Sequence, residues 1–259
     1  MLYPRIIPCL LVRDKGLVKT VRFSDHKYVG DPINAVRIFN EKESDELIVL
    51  DIDTTVKEAV PDYRMIAYLA KECRMPLCYG GGIKTAEQAK VIIGLGVEKI
   101  AISSAAISKP SLITRIAGEI GSQSVVIVLD VKKNSFGGYE LMTHSGRLQT
   151  GKNPWDFAKE AESRGAGEIV LNSIDNDGVM KGYDIVAAKK LRAMISIPMT
   201  ILGGAGSIRN IGNLIQNFGI VGAAAGSLFV FKGPYKAVLI SYPTMAEKET
   251  IVRENLRNV

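Results

Sequence analysis

The chain carries a long internal repeat. GDPINAVRIFNEKESDELIVLDID, residues 30–53, aligns with KNPWDFAKEAESRGAGEIVLNSID, residues 152–175, at an offset of 122. Asp31-Pro32 falls on Asn153-Pro154, Glu46 on Glu168 and Asp53 on Asp175. The same offset lays Gly81-Gly82 on Gly203-Gly204, and one residue more brings Ser104 onto Ser227. The period is too long for a stacked solenoid and fits two equivalent halves of one closed structure.

Short β-branched runs alternate with segments of helical period. Strands are expected at Arg5–Val12, Glu46–Asp51, Pro76–Gly80, Lys99–Ile102, Val125–Asp130, Glu168–Asn172, Met199–Leu202 and Val221–Ala224. Amphipathic helices are expected between them, among them Asp31–Lys42 and Thr85–Leu95. Eight such units in 259 residues predict an α/β fold, a single (β/α)8 TIM barrel over residues 1–259. The half-barrels are roughly 1–122 and 123–240, with a terminal helix over 244–258 opened by the capping-box spacing of Thr244 and Glu247. An open doubly wound sheet of five or six strands would leave two units unexplained. Two segments break the pattern: Lys132–Thr150, where Gly137-Gly138 suggests a small hairpin, and FKGPYKAVLISYPT between the eighth strand and the last helix. The long loop Val12–Gly30 after strand one could fold over a substrate as a lid.

The net charge of +6 suits an anionic small substrate, an acidic partner or nucleic acid. No run of five Lys or Arg occurs and no aromatics interleave with basic residues, so nucleic acid is the weakest of the three. Cys9, Cys73 and Cys78 are odd in number and lie in or beside apolar stretches. They read as core thiols of a reducing compartment, with no further Cys or His nearby to complete a metal site. No apolar run approaches the roughly 20 residues of a membrane span, and the N-terminus lacks a secretory pattern. The expectation is a cytoplasmic protein with no metal, no cofactor and no membrane partner.

In a barrel of this kind the reactive end is where strands run into helices. Gly80-Gly81-Gly82 follows strand three and Gly203-Gly204-Ala205-Gly206 follows strand seven. Each is followed one unit later by a small stretch with hydroxyls, Ser103-Ser104 and Gly226-Ser227. Glycines let backbone N–H groups approach a phosphate, so the pair suits a substrate with an anion at each end. Read alone, either turn is equally well a tight bend. Acids at this end are Asp51, Asp53, Asp130, Asp175 and Asp177, of which Asp177-Gly178 also reads as a turn. Asp130 ends an apolar strand, where a carboxylate is expensive unless paired or used. Lys19 lies in the segment after strand one and by itself reads as a solvated lysine. At the other end Arg5, Glu46, Lys99 and Glu168 begin strands; they could close into a salt-bridged ring or each face solvent.

IIPCLLVRD at residues 6–14 and VVIVLDV at 125–131 share an apolar build, yet the first presents Leu11 where the second presents Asp130. These stretches, with DELIVLDI, GGGI, KPSLI, THSG, RGAGEI, SIDNDG and GGAG, resemble the cyclase subunit of imidazole glycerol phosphate synthase, the HisF type, from Arg5 to Phe231. The resemblance implies a HisH-like glutaminase docked on the N-terminal end of the barrel. It also implies ammonia passage through the barrel to a doubly phosphorylated ribulosyl aminoimidazole-carboxamide substrate. It makes Arg5, Glu46, Lys99 and Glu168 a gate, and Gly81, Gly82, Ser103, Ser104, Asp177, Gly178, Gly203, Gly204, Gly226 and Ser227 phosphate-site residues. Asp130 then matches one of two aspartates that act as acid and base, Lys19 matches a loop lysine, and the other aspartate corresponds to Leu11.

An alkyl side chain transfers no protons, and Asp14 lies three residues further on, in the loop. Leu11, together with the tail FKGPYKAVLISYP, resembles HisF-like paralogues associated with glycosyl amidation. There an N-acetyl sugar amidotransferase is the expected further partner. The alternatives are a working cyclase of histidine biosynthesis, a conduit with no bond chemistry, and an isomerase built on the same half-barrel repeat.

Overall fold

The repeat predicts where helices begin, and the N-caps recur at its offset. Asp31 accepts from Asn34 N, and Asn153 from Trp155 N and Asp156 N. Asp62 and Asp184 cap the helices Tyr63–Glu72 and Ile185–Met194 in the same way. Thr85 with Gln88, and Ser207 with Asn210, form full capping boxes. Each pair stands 122 residues apart, and each cap is worth about 1 kcal/mol to its helix.

The computed structural model describes residues 3–256. Its eight barrel strands, in chain order, are Arg5–Arg13, Leu47–Asp51, Leu77–Gly80, Lys99–Ile102, Val125–Lys133, Glu168–Ser173, Met199–Leu202 and Gly222–Ala225. Each pairs in parallel with its neighbours, and strand eight closes on strand one through Arg5↔Gly222 to Pro8↔Ala225. This is a (β/α)8 barrel, not an open sheet. Glu46 and Pro76 fall just before their expected strands, and strand eight starts one residue late. The terminal helix runs Met245–Leu256 and its Thr244–Glu247 box is formed; expected residues 257 and 258 lie outside the described residues.

The segment after strand one is not a loop. Gly16–Val21 pairs antiparallel with strand one, and Ser24–Gly30 pairs with it in turn. Asp14-Lys15 and Arg22-Phe23 make the two tight turns, all four residues at positive φ. Such turns favour Asn-Gly or Asp-Gly, so Asp-Lys and Arg-Phe gave no hairpin signal. Strand five likewise outruns its expected end at Asp130, because Asp130 to Lys133 pairs with Met142 to Tyr139. The hairpin expected around Gly137-Gly138 is there, and Leu148–Gln149 adds a third strand to it.

Two apolar layers hold this together, one between strands and helices and one inside the barrel. The chain end straps the N-terminal side of strands one and two. Tyr242 Oη donates to Ile6 O (2.7 Å) and accepts from Asp45 N (3.1 Å), while Lys248 Nζ reaches Asp45 Oδ1 (2.7 Å). Ile6 and Asp45 adjoin Arg5 and Glu46, so the strap fixes the backbone under both charges. Tyr242→Phe leaves Ile6 O and Asp45 N without that partner and is expected to cost about 1–3 kcal/mol, read as a lower urea midpoint at unchanged slope.

Candidate active site and gate

The four strand-initial charges form a closed ring at the N-terminal end. Arg5 bridges Glu46 and Glu168, the latter at 2.7 Å, and Lys99 Nζ bridges the same two acids at 2.9 Å each. Thr200 Oγ1 adds a 2.6 Å hydrogen bond to Glu168. Burial pushes the Glu168 carboxyl up, but Arg5 and Lys99 outweigh it and hold it near 2. The charges sit together because strands one, two, four and six bring their first inward positions to one level.

Above the ring the inward positions turn apolar. Ile7 and Cys9 on strand one, Ile48, Cys78, Ala101, Val126, Val128, Val170, Leu202 and Ala224 form one interior cluster, with Leu11 and Leu50 packed on its upper edge. Strand one therefore reads Arg5, Ile7, Cys9, Leu11 from bottom to top along the barrel's inside.

The cluster opens at the C-terminal end into a cavity of about 370 Å³ whose lining includes Leu11, Lys19, Asp51, Asp130, Gly81, Gly82, Ser103, Ser104, Asp177, Gly178, Gly203, Gly204, Gly226 and Ser227, but not Asp53 or Asp175. Asp130 accepts from Asn172 Nδ2 at 2.8 Å, its register partner on strand six. Burial pushes its carboxyl up to about 6, against the downward pull of that hydrogen bond. A carboxyl so placed exchanges a proton near neutral pH.

Among the described residues, no acid replaces Leu11 on the inward face of strand one. Asp14 is exposed and paired with Lys57 (2.6 Å), which also holds Asp53 (2.8 Å). Asp51 lines the cavity with its Oδ1 accepting from Asp53 N and Thr54 N, whereas Asp175 lies outside the lining and accepts from Lys133 N. Asp177 lines the cavity, but one of its oxygens is engaged by Thr20 Oγ1 (2.5 Å) and Phe23 N (3.1 Å).

Lys19 is not a solvated lysine. It lies on Gly16–Val21, 4% exposed, and its Nζ donates to Cys9 O at 2.5 Å. Burial lowers its pKa, opposed by Cys9 and Asp177. A Cβ on Gly226 would come within 2.5 Å of Lys19 Nζ, so the amine stands against the Gly226-Ser227 turn. The hairpin thus brings a buried amine to the cavity lining.

Both Gly-rich turns need glycine. Gly81 and Gly203 have φ of 120° and 95°, and a Cβ would meet Asp51 O at 2.4 Å or Ser173 O at 2.7 Å. Ser103 Oγ, near the first turn, is buried without a hydrogen-bond partner among the described residues, as a ligand-facing hydroxyl would be. Ser104 Oγ instead accepts from His144 N (3.2 Å). Gly203→Ala forces an unfavourable φ and a backbone clash, a strain of about 1–3 kcal/mol. Inorganic phosphate is expected to bind at least about tenfold more weakly to this variant by calorimetry.

Asn172 and Thr200 were not picked out from the sequence. The signal for Asn172 was present: EIVLNS places a polar residue at the end of an apolar strand, as VVIVLDV does with Asp130.

A family model described as "Histidine biosynthesis protein" matches residues 5–236. A Leptospira borgpetersenii protein named "Putative imidazole glycerol phosphate synthase subunit HisF" is 58% identical over 97% of this chain and 99% of its own length. A Pseudomonas aeruginosa protein named "Putative imidazole glycerol phosphate synthase subunit hisF2" is 52% identical over 94% and 97%. An Alkaliphilus metalliredigens protein named "Imidazole glycerol phosphate synthase subunit HisF" is 40% identical over 88% and 91%.

Proposed function

This chain belongs to the HisF family of imidazole glycerol phosphate synthase subunits, and from that premise we propose that it is a repurposed member. It takes ammonia from a HisH-like glutaminase through the barrel and delivers it for amidation of a phosphorylated or sugar-nucleotide acceptor, in acetamidino-sugar synthesis. The observation that carries this is Leu11, an inward alkyl group at the head of the conduit where a second proton-transferring acid would stand. Loss of one such group removes about 10²–10⁴ in rate, on the order of 3–5 kcal/mol of barrier.

Each part has a physical role. The ring of Arg5, Glu46, Lys99 and Glu168 closes the N-terminal end, and a docked glutaminase opens it by drawing one charge aside. The apolar interior favours neutral ammonia over ammonium, because an unpaired ion is poorly solvated there. The two glycine turns, with Ser103 and Ser227, hold an acceptor's phosphates. Lys19 supplies positive charge beside the second turn.

Retention of Asp130, Lys19 and both turns favours a second reading, a working cyclase of histidine biosynthesis. A reconstituted mixture separates them from the amidation side: this chain, a HisH-like glutaminase, an N-acetyl sugar amidotransferase and its sugar nucleotide. Amidated sugar is expected to form from glutamine only when this chain is present. Equal formation without it contradicts the proposal.

A further inference from the structure

Asp130 and Asn172 are the polar side chains that meet the top of the apolar interior on strands five and six. Below them on the same strands stand Val128 and Val170, with Leu202 on strand seven beside them. An ionised carboxylate only accepts hydrogen bonds, so Asn172 must face it with Nδ2, which leaves its carbonyl oxygen free. That Asn172 oxygen lies 3.5 Å from where a Cβ on Gly203 would be, on the cavity side. Among the described residues, no protein group donates to Asn172 Oδ1 or to Asp130 Oδ2. Two acceptor oxygens thus stand at the exit of an apolar passage with no donor supplied by the chain.

We propose that Asp130 and Asn172 form an acceptor-only seat that holds ammonia as it leaves the conduit, with Asn172 both contacting the ammonia and orienting the Asp130 carboxylate. The inference rests on the barrel being an ammonia path and deepens it. Ammonia offers three N–H donors and one lone pair. Two donors bound to these oxygens leave the lone pair free to face an acceptor held between the glycine turns. Above a pH of about 6 the Asp130 carboxylate is ionised and available for this. Binding alone is proposed, with no bond made or broken in the seat.

The test needs no acceptor. The chain, labelled with ¹³C at its aspartate carboxyls, is titrated with ammonium chloride at pH 8 and again at about pH 9.5, where much more of it is neutral ammonia, against potassium and tetramethylammonium chlorides at equal ionic strength. The Asp130 resonance is expected to move saturably with the concentration of neutral ammonia, hence at lower total salt at the higher pH, and to respond little to the other two salts; a response that follows total ammonium alone overturns the seat. Asn172→Thr retains an acceptor oxygen and is expected to bind within about threefold of the unmutated chain. Asn172→Val, of the same shape without the oxygen, is expected to bind at least about tenfold more weakly. An equal response in the two variants, or to potassium and ammonium alike, overturns the seat. Failed sugar amidation with an intact ammonium response sinks the acceptor assignment and leaves the seat standing.

Discussion

Leu11→Asp raises cyclase turnover on the doubly phosphorylated ribulosyl substrate, driven by ammonium salt, by about 10²–10⁴-fold over the unmutated chain. The substituted carboxyl enters the wall of the same cavity as Asp130, two positions above Cys9 on the inward face of strand one. Two carboxyls sharing one cavity divide their proton affinities, so one is ionised while the other still holds a proton. That division lets one act as base and the other as acid. The gain is expected in kcat, because both glycine turns, the proposed phosphate sites, are untouched. A variant that binds substrate as before and turns over no faster would mean that Leu11 is not what limits this site.

Glu168→Gln is expected to cost on the order of 3 kcal/mol in unfolding free energy at pH 7. Glu168 takes hydrogen bonds from Arg5, Lys99 and Thr200, and a neutral amide leaves both cations short of a counter-charge. The sign follows from its folded pKa, held near 2 against an ordinary 4.5. The stabilisation is fully present above about pH 4.5 and is lost as pH falls toward 2. Urea melts of the two proteins should therefore converge across that interval. With the ring loosened, glutamine-driven transfer should fall relative to transfer driven by added ammonium, because ammonia escapes where the gate had closed. A constant stability difference from pH 7 to pH 2 would show that the ring's charge plays no part in it.

The barrel was legible because the repeat places like residues at like stations. Asp31 and Asn153, Asp62 and Asp184, Thr85 and Ser207 each cap a helix at the same point of each half. The two Gly-rich turns were legible for the same reason. The ring was legible only as four separate charges, since nothing local says that strands one, two, four and six meet at one level. Only the closed register brings Arg5 and Lys99 between the same two glutamates.

The hairpin after strand one was hidden by its turns, whose Asp-Lys and Arg-Phe pairs adopt positive φ without the residues that usually announce it. Lys19, matched to a loop lysine, lies on that hairpin instead. On a free loop a lysine is solvated, whereas on an inward strand of that hairpin it is buried against Cys9 O. Asn172 went unnoticed because its partner, Asp130, lies 42 residues away in sequence and one hydrogen-bonded register step away in the sheet.

The central claim is that Leu11 has taken this barrel out of the ordinary cyclase reaction while leaving its ammonia path and anion sites in place. The most direct test gives the purified, unmutated chain the phosphoribulosyl aminoimidazole-carboxamide substrate with excess ammonium salt, which bypasses any glutaminase. The prediction is turnover at least about 100-fold below that of a HisF enzyme with both acids, with substrate binding retained. Turnover equal to that enzyme would contradict the claim and make this chain a histidine-pathway cyclase with a tolerated leucine.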